Sequence, residues 1–249
     1  LPEVSLLKRV KAAGCIVMSS ATTVREAIWL EENGADVIIA QGAEAGGHRG
    51  MFLTENIAEQ PGTFALVPQV VDAVKVPVVA AGGIADGRGI AAAFALGASG
   101  VQIGTAYLRC PESKVSALAR VALAQASDES TVITNVMTGR PARGVANRVM
   151  REVGPISPHA PAFPHAATAL GPLKVAAEKQ GKVDFTNLWA GQAVRMGREM
   201  PATELTQAYR RLVAKYHPDR LDPFLKPYSD RLMRLINAAY DQERRRRGL

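Results

Sequence analysis

Cysteine, histidine and aromatic side chains are all scarce in this 249-residue chain, which carries two cysteines, four histidines and only 5% Phe, Trp and Tyr. Cys15 and Cys110 lie far apart and form no metal-ligand spacing, so neither a structural disulfide nor a metal site is expected, and a reduced, cytoplasmic setting is. His159 and His165 fall in a proline-rich stretch without a second ligand at metal spacing and read as loop residues. No apolar run approaches the ~20 residues of a membrane helix, and no signal peptide is legible, so no membrane partner is expected. The chain starts at Leu1 rather than Met and reads as a fragment of a longer product.

The net charge of +7 is unevenly placed. From Pro201 onward there are 11 Lys and Arg against 6 Asp and Glu, which leaves the preceding 200 residues nearly neutral. The basic character therefore says little about what the main body binds. Arg244 to Arg247 read as a solvated terminus, and no nucleic-acid partner is expected.

Apolar, β-branched runs alternate with helical patterns. Val4 to Ala13 reads as a helix and Cys15 to Ser20 as a strand. The next helix is capped by Thr22 or Thr23, with Glu26 in capping-box spacing to Thr23, and it stops at Asn33-Gly34. Strands are then expected at Ala35–Ala40, Pro77–Ala81 and Gly100–Ile103, with helices from Phe64 to Val74, where Pro68 falls in the first turns, and from Asp86 to Gly97. Four βα units of this kind make half of an eight-stranded barrel. Further on, Pro111–Ala126 reads as helix, Thr131–Thr134 as a short strand, Thr138–Gly144 as a basic turn and Pro155–Pro164 as a loop or linker. Helices are expected through Leu173–Glu178, after Gln192, at Thr203–Tyr216 and at Tyr228–Arg246. The segments divide as 1–126, 127–200 and 201–249.

Chemistry concentrates where strands end. Val37–Ala40 breaks into Gly46-Gly47-His48-Arg49-Gly50, the position of an active-site rim in a parallel barrel. Glycines there admit a planar ligand closely, and His48 can exchange a proton near neutral pH. Gly82-Gly83-Ile84 and Gly104-Thr105 follow consecutive strands and offer backbone N–H groups suited to a phosphate.

The stretches Ala40–Gly50, Ala80–Gly89 and Gly100–Thr105, with Gly139–Gly144 and Trp189–Gln192 further on, resemble the nitronate monooxygenase family over about residues 1–200. That resemblance implies the C-terminal half of a TIM-type (β/α)8 flavin barrel, followed by a helical extension. It implies FMN as cofactor, with alkyl nitronates or nitroalkanes and dioxygen as substrates. His48 would be the catalytic histidine, Gly82, Gly83, Gln102, Gly104 and Thr105 the phosphate-binding set, and Gly46 and Gly47 would lie along the flavin. Because Leu1 falls after the fourth strand of such a barrel, impaired activity and self-association through open sheet edges are expected. The flavin-dependent enoyl-acyl carrier protein reductases share the Gly-Gly-His and Gly-Gly-Ile elements and are the alternative reading. Arg49–Phe52 and Arg140–Arg143 look more like the monooxygenase pattern.

The tail carries a rival function. Ala208–Arg220, with His217-Pro218-Asp219, and Ile236–Tyr240 resemble the second and third helices of a J-domain, without its first. That implies docking on a DnaK-type chaperone through His217, Pro218 and Asp219.

Overall fold

The computed structural model describes residues 1–216, with side chains left out at 210 and 212–216. In chain order the elements are α1 (Val4–Ala12), β1 (Met18–Ala21), α2 (Val24–Glu32), β2 (Val37–Gln41), β3 (Gly47–His48), α3 (Thr63–Ala73), β4 (Val78–Ala81), α4 (Gly87–Ala95), β5 (Gly100–Gln102), α5 (Ala117–Gln125), β6 (Thr131–Thr134), β7 (Ala142–Val145), α6 (Arg148–Val153), α7 (His165–Lys179) and α8 (Ala202–Tyr216). His217-Pro218-Asp219 and the helix expected at Tyr228–Arg246 lie outside the described residues.

β1, β2, β4 and β5 form one sheet in that order, and every neighbouring pair is parallel. The four expected βα units are thus present, with β1 displaced to Met18–Ala21 from the expected Cys15–Ser20. Parallel strands need crossovers, and the crossover helices must bury an apolar face on the sheet. Leu30 of α2, Leu66, Val67 and Val70 of α3 and Ala93 of α4 meet Ile38, Ala40, Val78 and Ala80 in one core cluster. Alternation along β2 sends Ile38 and Ala40 to the helices, while Val37 and Ile39 pack with Ile16 and Val79 in a smaller cluster. Pro68 sits in the second turn of α3, where it forgoes one helical hydrogen bond.

A second, antiparallel sheet of order β3–β7–β6 stands beside the first. Residues Ala142–Gly144 were expected as part of a basic turn but, with Val145, form β7, paired with β6 from Thr131↔Val145 to Thr134↔Ala142. Sequence alternation could not show this, because Arg143 and Gly144 interrupt the apolar pattern. Two other expectations are also corrected. The helix expected over Pro111–Ala126 begins only at Ala117, capped by Ser116, after a turn stretch that Arg120 braces through the carbonyls of Arg109, Cys110 and Ser113. His165 opens α7 instead of sitting in the loop. The last described helix, α8, is not a free appendage, since Leu205 and Tyr209 pack with Ala85, Ala106 and Cys110. No helix among the described residues is long and apolar enough to cross a membrane.

The capping box expected at Thr23 is half right. Thr23 Oγ1 accepts the Glu26 amide, but the Glu26 carboxylate turns to Thr22 instead of Thr23. It also accepts the amides of Phe52 and Leu53, at 2.6 and 3.0 Å, so a fully buried carboxylate ties the end of β1 to the segment after the histidine loop. Burial raises its pKa, and the bonds from Thr22, Leu53 and Phe52 outweigh this and hold it below the usual 4.5. A carboxyl with a depressed folded pKa contributes fully above its unfolded value and loses that contribution as pH falls through the folded one. Glu26→Ala is expected to cost about 2–4 kcal/mol at pH 7, since several buried donors lose their acceptor. Urea unfolding at pH 7 and at progressively lower pH checks both points: the wild-type advantage over the variant should shrink only below pH about 4.5.

Candidate active site

The loop leaving β2 is held at four consecutive backbone carbonyls, Gln41 to Glu44. Arg49, 5% exposed, donates from Nη1 to Gly42 O at 2.6 Å and from Nη2 to Gln41 O at 2.8 Å, and also binds Gln60 Oε1. Arg143, 8% exposed, donates from Nε to Ala43 O at 2.8 Å and from Nη1 to Thr131. Two guanidinium groups therefore satisfy three consecutive carbonyls. Burial pushes the Arg49 pKa down to about 10, with the Arg143 charge adding to it and Glu44 and Glu26 opposing it. Burial also lowers that of Arg143. Both remain cations at neutral pH.

Glu44 completes the lock. Its carboxylate accepts the Thr63 amide and hydroxyl at the N-terminus of α3, where the helix dipole favours negative charge. Its carbonyl accepts the Gln192 amide. The bound loop then runs as β3 along β7, with Gly47 opposite Arg143 and His48 opposite Ala142. Gln41 spans the turn, donating to His48 O and accepting from Gly50 N.

His48 is exposed at one edge, flanked by Trp189 and Phe163 with ring centroids 5.5 and 5.9 Å away. Its Nε2 lies 2.9 Å from Thr138 Oγ1, and the Thr138 hydroxyl in turn donates to Arg140 O. A hydroxyl has one proton, so Thr138 accepts from an Nε2–H and the Nδ1 lone pair is left free. Partial burial and then the Arg140 charge lower the imidazole pKa, which keeps the ring neutral near pH 7.

Beside the loop lies a cavity of about 250 Å3 lined by Gly46, Gly47, Gly82, Gly83, Gln102, Gly104 and Thr105, together with Gln41, Trp189 and Gly191. The structure thus brings every expected glycine, Gln102 and Thr105 to one cavity. His48 is not in its lining and reaches it through the Trp189 ring. Gly82 and Gly83 adopt φ of +113° and +67°, a bend that glycine enters without strain. The amides of Gly83, Ile84, Gly104 and Thr105 find no acceptor among the described residues. Thr105 Oγ1 already accepts the Gly191 amide at 2.9 Å, leaving its hydroxyl proton to offer. Trp189, part of the motif match, and Glu44, Thr63 and Thr138 were not singled out as site residues in the sequence. Neither were Arg49 and Arg143, whose burial no local pattern signals, since a solvated arginine reads the same.

A family model described as nitronate monooxygenase matches residues 1–210. The chain belongs to the nitronate monooxygenase family. A protein of Staphylococcus saprophyticus named "Probable nitronate monooxygenase" is 42% identical over 209 residues, 83% of this chain and 59% of that one. One of the same name from Staphylococcus aureus strain MSSA476 is 42% identical over 206 residues, 82% and 58% of the two chains. Among solved structures, nitroalkane oxidase from Streptomyces ansochromogenes superposes with a TM-score of 0.80 at 41% identity, over 88% of this chain and 63% of that one. FabK from Thermotoga maritima gives 0.69 at 31%, over 85% and 65%. The chain spans 59% of the length of the first of the curated relatives it matches.

The loop's close packing predicts which family glycine is structural. A Cβ on Gly42 would fall within Thr63, backbone included, and so would break the Glu44–Thr63 cap. Gly42→Ala is expected to cost about 1–3 kcal/mol, the usual range for overpacking a tight site. A thermal midpoint equal to that of the wild type would overturn that account of the loop.

Proposed function

We propose that this chain provides the FMN-phosphate site and the catalytic histidine for oxidation of alkyl nitronates, or of nitroalkanes, by dioxygen. One observation carries the reading: an open glycine cradle with unsatisfied amides lies beside a histidine held neutral with one free ring nitrogen. The residues present fit FMN. The Gly82–Gly83 bend and the Gly104–Thr105 step offer unpaired N–H donors to a phosphate, and no atom within 4 Å would meet a Cβ at Gly47 or Gly104. Gly46 and Gly47 would lie along the ring system and Gln102 beside the phosphate end. When bound, FMN would supply the redox chemistry that links the substrate to dioxygen.

The chain's own residues then have distinct tasks. His48 Nδ1 accepts the α-proton of a neutral nitroalkane, and the imidazolium stabilises the resulting nitronate. Thr138 fixes the tautomer and the ring plane through Nε2. Trp189 and Phe163 flank the imidazole and limit its rotation. A preformed nitronate needs no proton removal, and for it His48 acts only as a partner to the anion.

Losing a general base costs a factor of about 10² to 10⁴. His48→Asn is therefore expected to depress turnover of a neutral nitroalkane far more than turnover of its preformed nitronate, as measured by oxygen uptake. Equal losses on both would remove the base role. With the nitroalkane, activity should fall as pH drops through the lowered His48 pKa, and Arg140→Gln should move that limb to higher pH by removing the neighbouring positive charge. For the cofactor, Gly104→Ala places a methyl group in open space at an ordinary backbone conformation, φ −108°. It should leave the thermal midpoint of the unliganded chain unchanged and abolish quenching of FMN fluorescence. Undiminished FMN binding by that variant would show that the cradle is elsewhere.

A further inference from the structure

We propose that α8 is a clamp that sets the spacing of the two glycine loops, with Tyr209 and Tyr107 as its positioning residues. The proposal rests on the reading that those loops hold a phosphate-bearing ligand. Each loop continues directly into a residue that α8 holds. Downstream of Gly82-Gly83-Ile84, the Ala85 carbonyl accepts the Tyr209 hydroxyl at 2.9 Å. Downstream of Gly104-Thr105, the Tyr107 hydroxyl lies 3.0 Å from Thr206 Oγ1. The two phenol rings meet edge to face with centroids 6.1 Å apart, so the two attachments form one unit. Leu205 is buried between them against Ala85, Ala106 and Cys110.

The helix is itself anchored at its start, where the Glu112 carboxylate accepts the Ala202 amide at 3.1 Å. Thr206 Oγ1 donates to Ala202 O within the helix, which leaves its lone pairs to accept from Tyr107. Burial pushes the Tyr209 pKa up to about 12, so its hydroxyl stays a donor throughout the working range. A phosphate bound between two loops gains from both sets of amides only at one separation, and a loop anchored a residue or two away is pre-organised for it. No other helix among the described residues bonds to both loop ends. The same docking occupies the face of α8 that carries Leu205 and Tyr209, part of the segment that resembles a J-domain helix.

The test compares the wild-type chain with Tyr209→Phe, Thr206→Val and the double variant, which keep the packing and remove the hydroxyl bonds. Amide hydrogen exchange on the chain without ligand should speed up in residues 82–86 and 104–108 and stay unchanged in 41–49. FMN affinity, read by fluorescence quenching, should fall about 3- to 10-fold per single variant, the range of one net hydrogen bond. The thermal midpoint without FMN should fall by only about 2–4 °C per single variant. Unchanged exchange in both loops would overturn the clamp, as would faster exchange spread evenly over the chain with a matching fall in midpoint. A wild-type chain that binds no FMN would instead remove the cofactor reading, and the exchange measurement would still decide the clamp.

Discussion

Two buried guanidinium groups on three adjacent carbonyls are the contact on which the site depends. A loop that turns back between two sheets buries its peptide groups, and each buried carbonyl without a donor costs free energy comparable to a lost hydrogen bond. Arg49 and Arg143 supply those donors to Gln41, Gly42 and Ala43. A guanidinium suits this better than an ammonium because its planar fork reaches two acceptors at once and stays charged when desolvated. Neither arginine touches a carboxylate among the described residues. Glu44 and Glu26 act on Arg49 at longer range, and its hydrogen bonds go to the carbonyls of Gln41 and Gly42 and to Gln60.

That clamp is why the glycines must be glycines. With the carbonyls drawn inward, Gly42 lies against Thr63 and Gly46 against Ala190 and Gly191. Gly191 in turn faces the Glu44 carbonyl. The loop is therefore a seam where the parallel sheet, the antiparallel sheet and the strap at 189–192 meet without intervening side chains. Its rigidity lets an exposed histidine keep a fixed position. The imidazole itself is oriented by one hydrogen bond and two aromatic rings rather than by deep burial, so it remains reachable.

The neutral state of His48 has two causes. Partial burial is the larger, and the nearby Arg140 charge adds to it. Positive surroundings discourage protonation of an imidazole and attract anions. A neutral base that becomes cationic only on accepting a proton suits a substrate whose conjugate base is an anion.

The four βα units and the glycine rim were legible in the residues because period and punctuation are local: Val37–Gln41 and Val78–Ala81 are apolar runs ended by glycine. The gathering of Gly46, Gly47, Gly82, Gly83, Gln102, Gly104 and Thr105 at one cavity followed from strands that all point the same way. Other features depended on partners about a hundred residues away and left no local trace. Arg143 reads as a turn residue until β7 pairs with β3 and its side chain reaches Ala43 O. The choice of Nδ1 as the free nitrogen of His48, set through Thr138, and the docking of Tyr209 on Ala85 are of this kind. Sequence by itself determined the alternation of strands, helices and glycines, since backbone conformation and side-chain period are properties of neighbouring residues. Only the tertiary structure decided which charges are buried and which hydroxyl meets which carbonyl, because those bonds join segments whose spacing is set by packing.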